Sequence, residues 1–320
     1  MDPARTAPPD GDSPLPTGTR GPERAAQLLD GFSLEMTGKD VLRLEEARDS
    51  IPPGTRINIT FLAGEDLGMR LTAAREVKRL GFVPVAHLAA RRLPSRSALE
   101  EFLSGLAADG TAGNVFVVGG DPARPEGPYP DALAVLRTGL LQRHGVRHIG
   151  ISGYPDGHPA IAGPDLWTAL ADKAAAIAAE GFTGDVITQF GFDAVPVLDW
   201  LEAVRARGVQ LPVRIGVPGP AGARRLLGYA TRFGVATGAS VARKYGFSLT
   251  NLMATTGPDR FLQALADRYD PARHGTVKVH FYTFGGLRTT AEWATRFRRQ
   301  GSIPQTRAAW QEGLPQHSRA

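Results

Sequence analysis

The sequence predicts a single (β/α)8 barrel, and three observations carry that prediction. Eight short runs rich in apolar and β-branched residues recur along the chain, a helical pattern separates each from the next, and the alternation fills roughly 260 residues without a break. Polar side chains capable of chemistry stand at the C-terminal end of nearly every run, where a barrel keeps its working residues. A doubly wound sheet is the competing arrangement, and the missing G-x-G-x-x-G turn after a first strand weighs against it.

Taken in order, strands are expected at 32–37 (FSLEMT), 55–62 (TRINITFL), 82–88 (FVPVAHL) and 114–120 (NVFVVGG). Four more follow at 147–154 (RHIGISGY), 185–190 (DVITQF), 211–217 (LPVRIGV) and 277–284 (VKVHFYTF). Helical spacing falls at about 40–49, 68–80, 95–109, 130–143, 165–180, 194–207 and 221–233. The long gap before the eighth strand has room for two helices, near 236–246 and 258–269, and a last helix is expected at 289–299. Ser95 reads as an N-cap followed by an acidic first turn, and Gly181 as the stop of the alanine-rich helix before it. Residues 1–22, rich in Pro, Gly, Asp and Thr, read as disordered; 23–300 form the barrel, and 301–320 a flexible tail on which Trp310 is a docking candidate.

At 320 residues the chain can bury a large core, and 42% hydrophobic with 22% charged residues is ordinary for a globular protein. No apolar run approaches the ~20 residues a membrane span needs, and the N-terminus shows no apolar leader. Zero cysteines exclude disulfide and thiolate chemistry and agree with a cytoplasmic location. The net charge of +5 suits an anionic small molecule. The basic residues are scattered, with only short pairs such as Arg91–Arg92 and Arg224–Arg225, so nucleic acid is not the expected partner.

The strand ends deliver Glu35 from the first, Thr60 from the second, His87 from the third and Asp121 from the fourth. Tyr154, Asp156 and His158 follow the fifth; Thr188 and Gln189 close the sixth; His280, Tyr282 and Thr283 belong to the eighth. Glu35, His87, Asp121 and His158 have metal-ligand chemistry, but there is no H-x-H after strand one and no strand-end lysine to carbamylate, so no metal is expected. Ser152 lies inside a strand and outside any G-x-S-x-G elbow, which argues against a serine nucleophile.

Several blocks together resemble the methylenetetrahydrofolate reductase family, whose fold is the (β/α)8 barrel. Ser33-Leu34-Glu35-Met36, His87-Leu88-Ala89, Gly119-Gly120-Asp121-Pro122, Tyr154-Pro155-Asp156-Gly157-His158-Pro159, Ile187-Thr188-Gln189-Phe190 and His280 to Thr283 match family segments in order, over about 31–298. The resemblance implies reduction of 5,10-methylenetetrahydrofolate to 5-methyltetrahydrofolate, with hydride passed from NADH or NADPH through a noncovalent FAD. It implies Glu35 as the general acid that opens the folate's five-membered ring to an iminium. For that task its pKa is expected to be raised by the apolar neighbours Leu34 and Met36. It implies Asp121 as electrostatic partner of the cation, Gln189 and Tyr282 as substrate contacts, and Thr60, His87, Gly120, Tyr154, His158, Asp165 and Lys173 as flavin lining. A homo-oligomer is compatible with it.

The departures concentrate on the flavin. Gly119 stands where the family has an arginine, and "DLWTALADK" offers Ala169, Asp172 and Lys173 where the family has Asn, Arg and Lys. The segment GPAGARR after the seventh strand lacks the aromatic residue family members often place over substrate, leaving Arg224 or Arg225 as an anion contact. A flavin-free transfer of hydride from NAD(P)H, or a folate-binding relative without reductase activity, are the alternatives.

Overall fold

A computed structural model describes residues 21–62, 64–235 and 255–301. The expected N-terminal segment through Arg20, the helix at 236–246 and the tail from Ser302, Trp310 included, lie outside the described residues. Eight parallel strands close into a barrel: β1 (Ser33–Met36), β2 (Arg56–Ile59), β3 (Val83–Ala89), β4 (Asn114–Val118), β5 (His148–Gly153), β6 (Thr183–Phe190), β7 (Val213–Pro218) and β8 (Val277–Tyr282). Each strand pairs with its sequence neighbours, and β1 closes on β8 through Ser33 opposite His280. The (β/α)8 expectation is correct, with strand ends moved by a few residues.

Period-2 alternation explains the two cores. Outward residues such as Leu34, Met36, Ile57 and Val117 pack under the surrounding helices in one continuous apolar cluster. Inward residues stack in layers. Val85, Phe116 and Ile187 form an apolar middle layer of their own, and Gly150 leaves the space that the Phe116 ring fills, since a Cβ there would lie 2.8 Å from it.

The helices largely follow their sequence signals. Ser95 accepts from Ala98 N–H at 3.0 Å and caps Arg96–Ala108. That helix carries no acid in its first turn; Glu100 and Glu101 fall beyond it, correcting the expected acidic start. The single helix expected at 130–143 is two short ones, Ala132–Leu136 and Leu140–Arg143, separated at Gly139 with φ 70°. An extra short helix, Pro22–Gln27, packs against the last helix, Leu287–Gly301.

The helix Ala223–Phe233 does not belong to the outer ring. It starts at a two-residue strand after β7 (Ala221–Gly222, paired with Thr255–Thr256) and crosses the barrel mouth. Its end presses on the turn after β5, where a Cβ on Gly234 would meet Pro159 Cγ at 2.8 Å. The helix Asp259–Arg268 takes the outer position beside Ala194–Ala206.

Candidate active site

Glu35 is the inward residue at the top of β1. Its Oε2 lies 3.7 Å from His280 Nε2, and His280 is buried on β8 with Nδ1 2.9 Å from Ser33 Oγ. Among the described residues His280 Nε2 has no hydrogen-bond partner of its own. A buried imidazole fixed from behind and aimed at a carboxylate is a proton-handling arrangement. Thr283 Oγ1 donates to Glu35 O at 2.7 Å and fixes the strand end. Leu34 and Met36 point to the outer core, so the surroundings of Glu35 are set by inward side chains rather than by its sequence neighbours.

Tyr282, two residues beyond His280, donates to Thr188 O at 3.1 Å. Burial, with the nearby charge of Glu35 and of Tyr154 behind it, pushes its phenol well above the usual value, so it acts as a neutral donor. The Thr188 carbonyl is available because the β6–β7 ladder slips between Ile187 and Phe190. Thr188 Oγ1 accepts from Gly216 N–H at 2.8 Å, and only glycine fits at 216, since a Cβ would lie 2.3 Å from Thr188 O. Gln189 sits on the irregular stretch, with its Oε1 accepting from Phe190 N–H at 3.1 Å.

His87 tops β3, buried against Phe116 (ring centroids 4.7 Å) with Nε2 3.3 Å from Asn58 Nδ2. Burial, then the charges of His280 and Arg70, hold it down to about 3, so it is neutral. Arg70 stands behind it, its guanidinium between the rings of Phe61 and Phe102 at 3.7 and 3.9 Å and bonded to His87 O. Thr60 Oγ1 is buried without a partner among the described residues. Tyr154 and His158 meet edge to face at 5.1 Å after β5. His87 thus ends β3 and Thr60 follows β2, while Tyr154 and His158 sit in the turn after β5.

Asp121 does not stand as a free carboxylate. Its side chain is 75% exposed, and Arg92 grips it with Nε–Oδ1 at 2.8 Å and Nη2–Oδ2 at 2.7 Å. The Arg92 hydrogen bonds hold its pKa below the usual range. Its charge is thus already answered, which weakens the expected role as counterion to a cationic intermediate. Gly120 beside it runs at φ 90° with its Cβ position 3.3 Å from Ala89 Cβ.

The flavin grips fare worse. Lys173 is 7% exposed, its Nζ turned inward to 3.4 Å from Ser152 Oγ, and burial lowers its pKa to about 8 despite the opposing charge of Asp131. Asp165 and Asp172 are exposed on the same helix, Gly163–Ala179, and add only negative charge. The positions that the resemblance assigns to FAD phosphates do not fit a diphosphate.

An aromatic wall closes one side of the mouth. Tyr229 stacks on Phe284 at 4.0 Å, Phe284 and Tyr282 meet Phe190, and Phe233 extends from Phe190 (5.9 Å) to the surface. These residues supply the aromatics that GPAGARR lacks. Arg225 Nη1 donates to Phe284 O at 3.0 Å, so it braces the wall, while Arg224 is exposed. Among the described residues no group of three or more His, Asp or Glu could hold a metal, and no helix is long and apolar enough to cross a membrane.

No family model matches the chain. Methylenetetrahydrofolate reductase 2 of Saccharomyces cerevisiae is 28% identical over 173 residues, 50% of this chain and 28% of the yeast protein. The chain therefore spans little more than a quarter of that relative's length. Among solved structures, an uncharacterized protein from Clostridium thermocellum that binds two copies of 5-methyl-5,6,7,8-tetrahydrofolic acid superposes with a TM-score of 0.60 at 11% identity, over 87% of this chain and 98% of its own. Over half of its length the chain is thus similar in sequence to a methylenetetrahydrofolate reductase. Dihydropteroate synthase from Thermus thermophilus is a looser likeness, with a TM-score of 0.45, 15% identity and coverage of 84% and 92%.

Sequence reading undervalued His280, Ser33, Asn58 and Arg70. The first three share inward parity with Glu35, Thr60 and Tyr282, a signal readable once strand faces are assigned. Arg70 lies in a helix, and only packing reveals it.

Proposed function

We propose that this protein reduces 5,10-methylenetetrahydrofolate to 5-methyltetrahydrofolate with NAD(P)H. The observation that carries the reading is Glu35 at the barrel mouth, 3.7 Å from a buried His280 that Ser33 fixes from behind. Glu35 delivers a proton to the departing ring nitrogen, the five-membered ring opens to an iminium, and hydride at the methylene carbon completes the methyl group. His280 keeps the carboxyl oriented and returns a proton to it between turnovers. Neutral Tyr282 and Gln189 are the hydrogen-bonding edge for the pterin, and the Tyr229–Phe284–Phe233 wall stacks flat rings. The yeast relative and the folate-binding neighbour support a folate ligand.

The hydride in this reading comes directly from the nicotinamide, because the phosphate grips for FAD are buried, acidic or missing. The test is NAD(P)H oxidation by purified protein with methylenetetrahydrofolate, with and without added FAD, alongside its visible spectrum. Turnover in a colourless protein is expected. Turnover only with FAD restores the flavin route, and none in either case refutes the reductase reading.

A further inference from the structure

Asn58 is a polar side chain deep inside the barrel, away from both the floor network and the open mouth. Period-two alternation turns Arg56, Asn58 and Thr60 inward along β2 and the residue after it; Arg56 belongs to the floor and Thr60 to the mouth. Asn58 lies between them, 1% exposed, opposite Glu35 in the β1–β2 ladder and opposite Val85 in the β2–β3 ladder. A buried amide is costly unless it is hydrogen-bonded, and Asn58 Nδ2 reaches His87 Nε2 at 3.3 Å. An amide nitrogen carries hydrogens and accepts nothing, so in this contact it can only donate. His87 Nε2 must then be the bare nitrogen, and the single proton of the neutral ring sits on Nδ1. An imidazolium would turn an N–H against those of the amide, so the contact and the burial of the ring both favour the uncharged form. The ring is held in place for this choice: Phe116 lies against it with centroids 4.7 Å apart, and Arg70 grips the His87 carbonyl. The charged and titratable groups that face it are Arg70 from the helix Leu67–Arg79, answered by Glu65, and His280 from β8, with Glu35 opposite Asn58 on β1.

We infer that Asn58 is a positioning residue: it holds His87 in the Nδ1–H tautomer, so that the end of β3 offers a bound ring one hydrogen-bond donor and no charge. The inference rests on the reductase reading and deepens it. That reaction passes through a cationic iminium beside Glu35, and a further cation two strands away would oppose it in a site of low dielectric. A fixed donor also selects what it meets. A carbonyl oxygen is accepted, whereas a ligand N–H in its place sets two donors face to face and leaves both unpaired. The pterin of folate and the carboxamide of nicotinamide each carry such a carbonyl. A free imidazole exchanges its proton between its two nitrogens, and Asn58 removes that freedom before the ligand arrives.

Labelling the histidine rings of the full chain with 15N lets long-range 1H–15N spectra read the tautomer directly, and His87→Gln assigns its signal among the seven histidines. The wild type is expected to show His87 neutral, with its proton on Nδ1, from about pH 8 down to about pH 5. Asn58→Asp sets an acceptor against Nε2; it is expected to bring a proton onto Nε2 and to make His87 titrate between about pH 5 and 8. Asn58→Leu, without polar atoms, is expected to populate both tautomers and to weaken binding of 5-methyltetrahydrofolate or of NADPH by about fivefold or more. The ligand that loses affinity is the one whose carbonyl His87 meets. A wild type with the proton on Nε2, or Nδ1–H persisting alone in both variants, overturns the inference. So does unchanged affinity for both ligands in Asn58→Leu. The spectra and the binding need no turnover, so control of the tautomer and of affinity by Asn58 without any reduction sinks the reductase reading alone.

Discussion

The floor and the mouth of the barrel both bury charge, and they treat it in opposite ways. At the floor, Asp185 Oδ2 receives Arg214 Nε at 2.7 Å, Arg56 Nη1 at 3.2 Å and His148 Nε2 at 3.4 Å, while Arg214 also donates to Gly31 O at 2.8 Å. Burial alone would raise the Asp185 pKa. The His148 hydrogen bond and the Arg214, His148 and Arg56 charges outweigh it and hold the carboxyl far below its usual range. At the mouth, Thr60 Oγ1 and His280 Nε2 are buried without partners among the described residues, and Glu35 meets His280 only at 3.7 Å. A broad concavity of about 2000 Å3 opens beneath the floor beside Arg56 and His148, while the proposed chemistry uses the other end. Closed networks hold a fold together; unsatisfied groups are ready for a ligand.

The contrast breaks most visibly at Glu35. Glu35→Gln is expected to lower turnover by about 10²–10⁴-fold, with folate binding and the urea midpoint retained; a fully active variant refutes the acid assignment. At the floor the loss should appear in stability. Asp185→Asn leaves the buried Arg214 and the part-buried Arg56 without their carboxylate and is expected to cost about 3–5 kcal/mol in urea unfolding, with turnover per folded molecule unchanged. An unaltered midpoint would mean the floor network is not structural.

His87 sharpens the comparison through pH. Its folded pKa is lowered to about 3, against about 6.5 unfolded, so the unfolded chain binds more protons between those values. Stability is expected to fall as pH drops from about 6.5 toward 3, by at most about 1.4 kcal/mol per unit from this group. His87→Gln removes that share of the slope; an identical slope in the variant removes His87 from the account. The smallest effect is at Lys173, buried with a pKa of about 8. Lys173→Met is expected to stabilise the protein at pH 7 by on the order of 1 kcal/mol, and the wild type is expected to gain stability from pH 8 to about 10.4 where the variant does not. Loss of dinucleotide affinity in the variant would contradict its inward role.

Much of the scaffold is legible in residue order. Strand runs, the Ser95 cap and the Gly181 stop are local signals, set by side-chain period and backbone freedom within a few residues. The helix at 130–143 fails because Gly139 takes a left-handed turn inside an otherwise periodic stretch. Glu35, His87 and Tyr282 were readable because strand ends point to the mouth. The pairing of Asp121 with Arg92, 29 positions away, was not legible, because only the adjacency of β3 and β4 brings the two together. The burial of Lys173 was not legible, because a helix pattern gives its face but not the depth at which that face sits.

The sequence by itself determined that the chain alternates strand and helix eight times and that polar groups end the strands, since both follow from periodicities of two and 3.6 residues. Which polar groups neutralise one another is a matter of distances between residues far apart in the chain. Barrel closure decided it, setting Asp185 against Arg56 across the floor and His280 against Glu35 at the mouth. Coulomb and hydrogen-bond energies depend on those distances, and no local pattern encodes them.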